Sequence, residues 1–213
     1  ITCNGFDLEI PFKDLYFMIK RTSTGEGKAI DITNFTLKQV DNVETGYNNA
    51  IVNFFHGETK VDAYIKNLTL NDVNKIRLFY NRTGGVGNIK IEDVTINYST
   101  FRAEPYNDHL FILEPTSGDA IENLSVKNIK TNTTDKAPPL LRSNATVEAV
   151  VYSLKDIYFE NIILNSNTSQ FMMDFIQGDE KLQLDNFNII NSVFDGYKNN
   201  FSAIRDEKKV NLF

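Results

Sequence analysis

Tryptophan is absent from the 213 residues, cysteine occurs once, histidine twice and proline five times. A single cysteine excludes an internal disulfide framework. With two histidines there is no Cys/His spacing for a zinc site, and no EF-hand loop occurs, so no metal is expected. No apolar run approaches the ~18 residues that a membrane helix needs. No basic block exists and the net charge is -6, so nucleic acid and anionic membrane surfaces are poor candidate partners. The glycines of Gly84-Gly85-Val86-Gly87 lack the lysine and hydroxyl of a phosphate loop, and no cofactor is expected. Alanine is scarce, at nine, whereas Ile, Val and Thr together reach 51, which favours strands over helices. Ile, Leu, Val and Phe total 66, enough for a substantial core.

Asparagine is abundant, at 26. Chance placement gives about three N-x-S/T acceptor sites. The chain has nine: Asn34, Asn67, Asn81, Asn97, Asn123, Asn132, Asn144, Asn167 and Asn200. The excess implies a eukaryotic secretory route, an extracellular or cell-surface location, and covalent N-glycans on exposed turns. The chain begins at Ile1, so a removed leader or a longer parent is expected. For Cys3, an intermolecular bridge and a buried free thiol both stay open.

One short pattern recurs: apolar, any, Asn or Asp, apolar, any, apolar. It reads Ile32-Thr33-Asn34-Phe35-Thr36-Leu37, then Ile65-Lys66-Asn67-Leu68-Thr69-Leu70 and Ile91-Glu92-Asp93-Val94-Thr95-Ile96. It returns around Asn123, Asp156 and Asn186, and the segment Phe12 to Phe17 supplies an earlier copy around Asp14. From Asn34 to Asn186 the anchors average about 30 residues apart. Each triplet after the anchor alternates, as a strand with one buried face does. The apolar residue three before breaks that period, so a bend falls at the Asn or Asp, which tolerates a left-handed backbone. Second apolar runs follow the anchors: Ala50–Phe55, Ile76–Tyr80, Leu110–Leu113, Ala149–Tyr152 and Phe171–Ile176. Segments 131–146, 81–88 and 100–109 read as loops. A unit this small cannot bury its apolar face alone, but stacked copies can.

This repeat resembles the right-handed parallel β-helix of the pectin-lyase-like superfamily across nearly the whole chain. The fold expected is all-β: a β-solenoid of about six to seven coils of ~30 residues, in one domain over 1–213. A leucine-rich solenoid and a β-sandwich are the alternatives. Stacked anchors Asp14, Asn34, Asn67, Asp93, Asn123, Asp156 and Asn186 are expected to form a side-chain ladder inside the bends. An internal ladder leaves no room for sugar. Glycans are therefore assigned to Asn81, Asn132, Asn144, Asn167 and Asn200, then Asn97, ahead of Asn34, Asn67 and Asn123.

The superfamily's hydrolases resemble one another in an Asn-Thr-Asp motif, a paired Asp-Asp, a Gly-His-Gly and an Arg-Ile-Lys, and none occurs here. Its lyases use an arginine base; only Arg77 lies in a clear strand. Glu92 and Glu122 share a repeat position, flanked by Lys66 and Lys155, and stacking in that register would pair two carboxylates as a general acid requires. Two solvated glutamates are the simpler reading. Asp72, Asp206 and Glu207 read as exposed acids, His56 carries no motif, and His109 beside Asp108 reads as a solvated loop histidine. Tyr64, Tyr98 and Tyr158 fall at outward or bend positions where sugars could stack. The expected function is thus a non-enzymatic extracellular structural glycoprotein forming a rigid rod, associating with itself head to tail through its last segment, Val210 to Phe213. A carbohydrate-active enzyme and a glycan-binding adhesin module are the alternatives.

Overall fold

The computed structural model describes residues 2–10, 30–39, 50–54, 62–72, 77–81, 88–97, 109–113, 120–132, 137–144, 152–165, 171–176, 182–197, 199–202 and 211–212. Among them no helix occurs. Sheet A contains β1 (Thr2–Ile10), β2 (Ile30–Gln39), β4 (Ala63–Asn71), β6 (Ile89–Asn97), β8 (Ala120–Thr131), β10 (Tyr152–Asn165), β12 (Leu182–Ile190) and β15 (Asn211–Leu212), in that spatial order. A further strand, β13 (Val193–Asp195), lies against β10. Sheet B contains β3 (Ala50–Phe54), β5 (Arg77–Asn81), β7 (Phe111–Leu113), β9 (Leu141–Asn144), β11 (Phe171–Ile176) and β14 (Asn199–Ser202). Every pairing described is parallel. From β2 to β12 the chain alternates between the sheets, one strand in each.

The bends explain how one strand of sheet A keeps two apolar groups on one face. Asn34, Asn67, Asp93, Asn123, Asp156 and Asn186 have φ between 52° and 62°. Each left-handed residue inverts the strand's alternation, so that Ile65 and Leu68, three apart, are both buried. Asn128, Asn161 and Asn191 repeat the device five residues later, at φ 57°, 56° and 52°.

Stacking in register turns these positions into apolar columns. Phe35 pairs with Leu68, Leu68 with Val94, and Val94 with Ile129. Beside that column runs Ile32, Ile65, Ile91, Val126, Phe159 and Ile189. From sheet B, Phe79, Phe111, Leu141 and Met173 close the same core. The rings of Phe111 and Phe159 meet edge-on across the sheets, with centroids 5.3 Å apart. Phe159 stands 6.0 Å from Phe187 in the next strand. Each such side chain, fully buried, contributes about 1.5–3 kcal/mol against exposure.

Several expectations need correcting. Within segment 131–146, the described residues 137–144 are packed into the fold rather than projecting from it. Ala137, Leu140 and Leu141 are buried, the Leu110 amide donates to the Pro139 carbonyl at 2.9 Å, and β9 takes the place in sheet B expected for Ala149–Tyr152. Tyr152 instead begins β10 in sheet A. The described strand that precedes β2 and pairs with it is β1, in which Cys3, Phe6 and Leu8 pair with Ile32, Phe35 and Leu37. Gly5, at φ 71°, takes the bend position opposite Asn34. Glycine reaches that conformation with no side-chain penalty, so a pattern requiring Asn or Asp passes over it. Asp14 lies outside the described residues.

Candidate functional site

The solvent face of sheet A carries most of the chain's candidate chemistry, and its register decides what that chemistry is. Lys66 of β4 pairs with Glu92 of β6, Glu92 with Lys127 of β8, and Lys127 with Glu160 of β10. The signs alternate across four strands. Lys66 Nζ lies 3.7 Å from Glu92 Oε2 and 3.8 Å from Asp93 Oδ2, and Lys127 Nζ lies 2.7 Å from Glu160 Oε2. Tyr64 first, then Asp93 and Glu92, hold the Lys66 ammonium above its ordinary pKa. The hydrogen bond to Glu160, followed by its charge, raises Lys127.

Glu92 and Glu122 are therefore not neighbours. The register between β6 and β8 sets Asp93 opposite Asn128 rather than Asn123, and Glu122 faces Lys155, which in turn faces Asp185. The proposed carboxylate pair is replaced by two columns of opposite charges.

Beside the charges run chains of side-chain amides. Asn34 Nδ2 donates to Asn4 Oδ1 at 2.8 Å and Asn67 Nδ2 to Asn34 Oδ1 at 2.6 Å. Further along, Asn128 Nδ2 donates to Asp93 Oδ1 and Asn161 Nδ2 to Asn128 Oδ1, both at 2.8 Å. A second file joins Asn186 Nδ2 to Asp156 Oδ1 at 2.6 Å, with Asn186 also donating to the Tyr158 hydroxyl. A third links Asn97 to Asn71 at 2.8 Å and Asn132 to Asn97 at 2.6 Å. Anchors thus stack, but on the outside: Asn34, Asn67 and Asn186 are exposed, as is Asn123, which joins no file among the described residues. The left-handed bend points the anchor side chain to water while the next residue turns in, which corrects the internal ladder.

A groove of about 540 Å3 crosses β2, β4 and β6, lined by Asp31, Asp62, Ala63, Tyr64, Asn88, Lys90 and Glu92. Tyr64 donates to Glu92 Oε2 at 3.2 Å, and Asn88 donates to Asp62 Oδ1 through its backbone at 2.7 Å and its amide at 3.1 Å. A smaller depression of about 310 Å3 lies over Asn67, Asp93, Thr95, Asn128, Lys130, Asn161 and Ile163. Among the described residues no three His, Cys, Asp or Glu group closely enough to hold a metal ion.

Sheet B presents a different environment. His109 is buried, not solvated, and its pKa falls to about 3 through burial first, then the charges of Arg142 and Arg77. Arg77 is also buried, with its guanidinium 4.8 Å from the Tyr80 ring centroid. Tyr80 packs on Ile112, which pairs with Arg142.

The glycan acceptors divide sharply. Asn81 is 0 % exposed within β5, which leaves no room for a sugar and overturns its assignment. Asn132 is exposed and Asn97 half-buried, each with its amide donated to a neighbour. Asn144 and Asn200 lie in strands β9 and β14, not in turns. Asn167, His56, Tyr98, Asp108, Asp206 and Glu207 lie outside the described residues. Asp72 forms a bend at φ 55°, and Tyr158 is 38 % exposed. Among the described residues no helix is long and apolar enough to cross a membrane. No protein-family model, curated protein or solved structure matches the chain.

Proposed function

We propose that the two parallel sheets are the walls of a right-handed parallel β-helix of the pectin-lyase-like kind, serving as a non-enzymatic, secreted and glycosylated structural rod. The observation that carries this reading is the condition of the sheet A face. Its lysines and glutamates alternate across strands, and its asparagines stack amide on amide, so polar groups meet their equivalents in the next strand. A surface arranged this way rigidifies a stack. Exposed sheet edges accept further parallel strands, and head-to-tail addition of identical copies gives an open filament.

The second reading is a carbohydrate-active enzyme or glycan-binding module, favoured by the groove that joins Tyr64 to Asp31, Asp62 and Glu92. One set of experiments separates the two. The chain is secreted from a eukaryotic host, sedimented over a concentration series, and incubated with a panel of acidic and neutral polysaccharides. The structural reading expects sedimentation that grows with concentration and no new reducing or unsaturated ends. Released ends, or saturable glycan binding by a monomer that does not grow, refute it.

A further inference from the structure

We infer that Asn123 carries an N-linked glycan in the folded protein, in preference to the other acceptors whose side chains are described. The inference rests on the secretory reading above and goes against the order expected from the sequence. Asn123 begins an Asn-Leu-Ser acceptor and occupies an exposed left-handed bend at φ 62°. Its location follows from the register between β6 and β8. Ile89 pairs with Leu124, which sets Asn123 opposite Asn88. The Asn88 amide donates to Asp62 at 3.1 Å. On the other side Asp156 stands opposite Asn123, and its Oδ1 accepts from Asn186. Among the described residues the Asn123 carboxamide makes no hydrogen bond to either neighbour.

The remaining described acceptors differ. Nδ2 of Asn34, Asn67, Asn97 and Asn132 each donates along an amide file, and Asn81 is fully buried. Neighbouring strands stand about 4.8 Å apart, so a pyranose on a file amide would press on the amide above or below it. Among the described residues Asn123 belongs to no amide file, and a sugar there displaces no ladder bond. In the covalent step a lipid-linked oligosaccharide pyrophosphate is the donor. The Nδ2–C1 bond forms, the C1–oxygen bond to the pyrophosphate breaks, and one Nδ2 proton leaves to the transferase's base.

The test is site-resolved glycopeptide mass spectrometry on full-length chain secreted from a eukaryotic host. The expected result is sugar at Asn123 in more of the molecules than at Asn34 or Asn67. Ser125→Ala destroys the acceptor while keeping the bend residue. It should remove one glycan and leave the unfolding midpoint of enzymatically deglycosylated protein unchanged. Sugar at other acceptors with Asn123 bare overturns this inference alone. A secreted chain with no sugar at any acceptor overturns the secretory reading as well.

Discussion

Lys127 stands opposite Glu92 in the pairing of β6 with β8, and Glu122 does not. Two registers were open there, because β8 carries left-handed asparagines at both Asn123 and Asn128. Like charges directly opposite are unfavourable and opposite charges favourable, so the pairing five residues along is the better one electrostatically.

That register is measurable by double-mutant cycles. Combining Glu92→Ala with Lys127→Ala should give a small favourable coupling that shrinks in 1 M salt. The cycle of Glu92 with Glu122 should give a coupling near zero. Strong coupling in the second cycle would restore the register of Asp93 with Asn123.

The amide ladder separates from the left-handed backbone by choice of substitution. Asn67→Ala loses the bond to Asn34 and places alanine at φ 57°, and should cost about 1–3 kcal/mol. Asn67→Gly loses the bond but accepts the backbone, and should cost about half as much. Lys66→Leu, with its side chain 45 % exposed, should cost far less than either. Urea unfolding gives all three, and equal losses would contradict the assignment of roles.

Asp93 interrupts the first amide file. It accepts from Asn128 but offers Asn67 no proton. Asp93→Asn supplies one, adding a bond of about 0.5–1.5 kcal/mol while removing only a solvent-screened contact to Lys66. The variant should be as stable as the parent or slightly more so, whereas Asp93→Ala should be weaker. A clear loss in Asp93→Asn would mean that the ladder adds nothing at this position.

His109 makes stability depend on acid. Its folded pKa of about 3 lies below the ordinary 6.5, so between those values the unfolded chain binds the extra proton. Its contribution is intact above pH 6.5 and falls by about 1.4 kcal/mol per unit as pH drops towards 3. His109→Gln cannot protonate there and should flatten the stability profile between pH 6 and 4 relative to the parent. Parallel profiles would place His109 in contact with water.

Much of this arrangement was legible in residue pattern. The anchors from Asn34 to Asn186 mark bends because only Asn, Asp and Gly occupy φ near 55° at low cost, and the apolar runs at 50–54, 77–80, 111–113 and 171–176 are strands of sheet B. Three things were not legible. Gly5 performs the bend without the side chain that marked it. The run Leu140-Leu141 stood beside Pro138-Pro139, whose loop character masked a buried approach to β9. The outward direction of the ladder depends on which side of a left-handed residue faces the core, and spacing alone is blind to that. Glu92 and Lys127 were the available clue to register, since pairing Glu92 with Glu122 set like charges together.

The central claim is a stack of parallel strands extended by further copies. Electron cryo-microscopy of the glycosylated, secreted full chain tests it most directly. The account predicts unbranched rods with a repeat of about 4.8 Å along the axis, strands perpendicular to it and two facing sheet walls. Compact particles that stay monomeric at high concentration, with no axial repeat between copies, would contradict it.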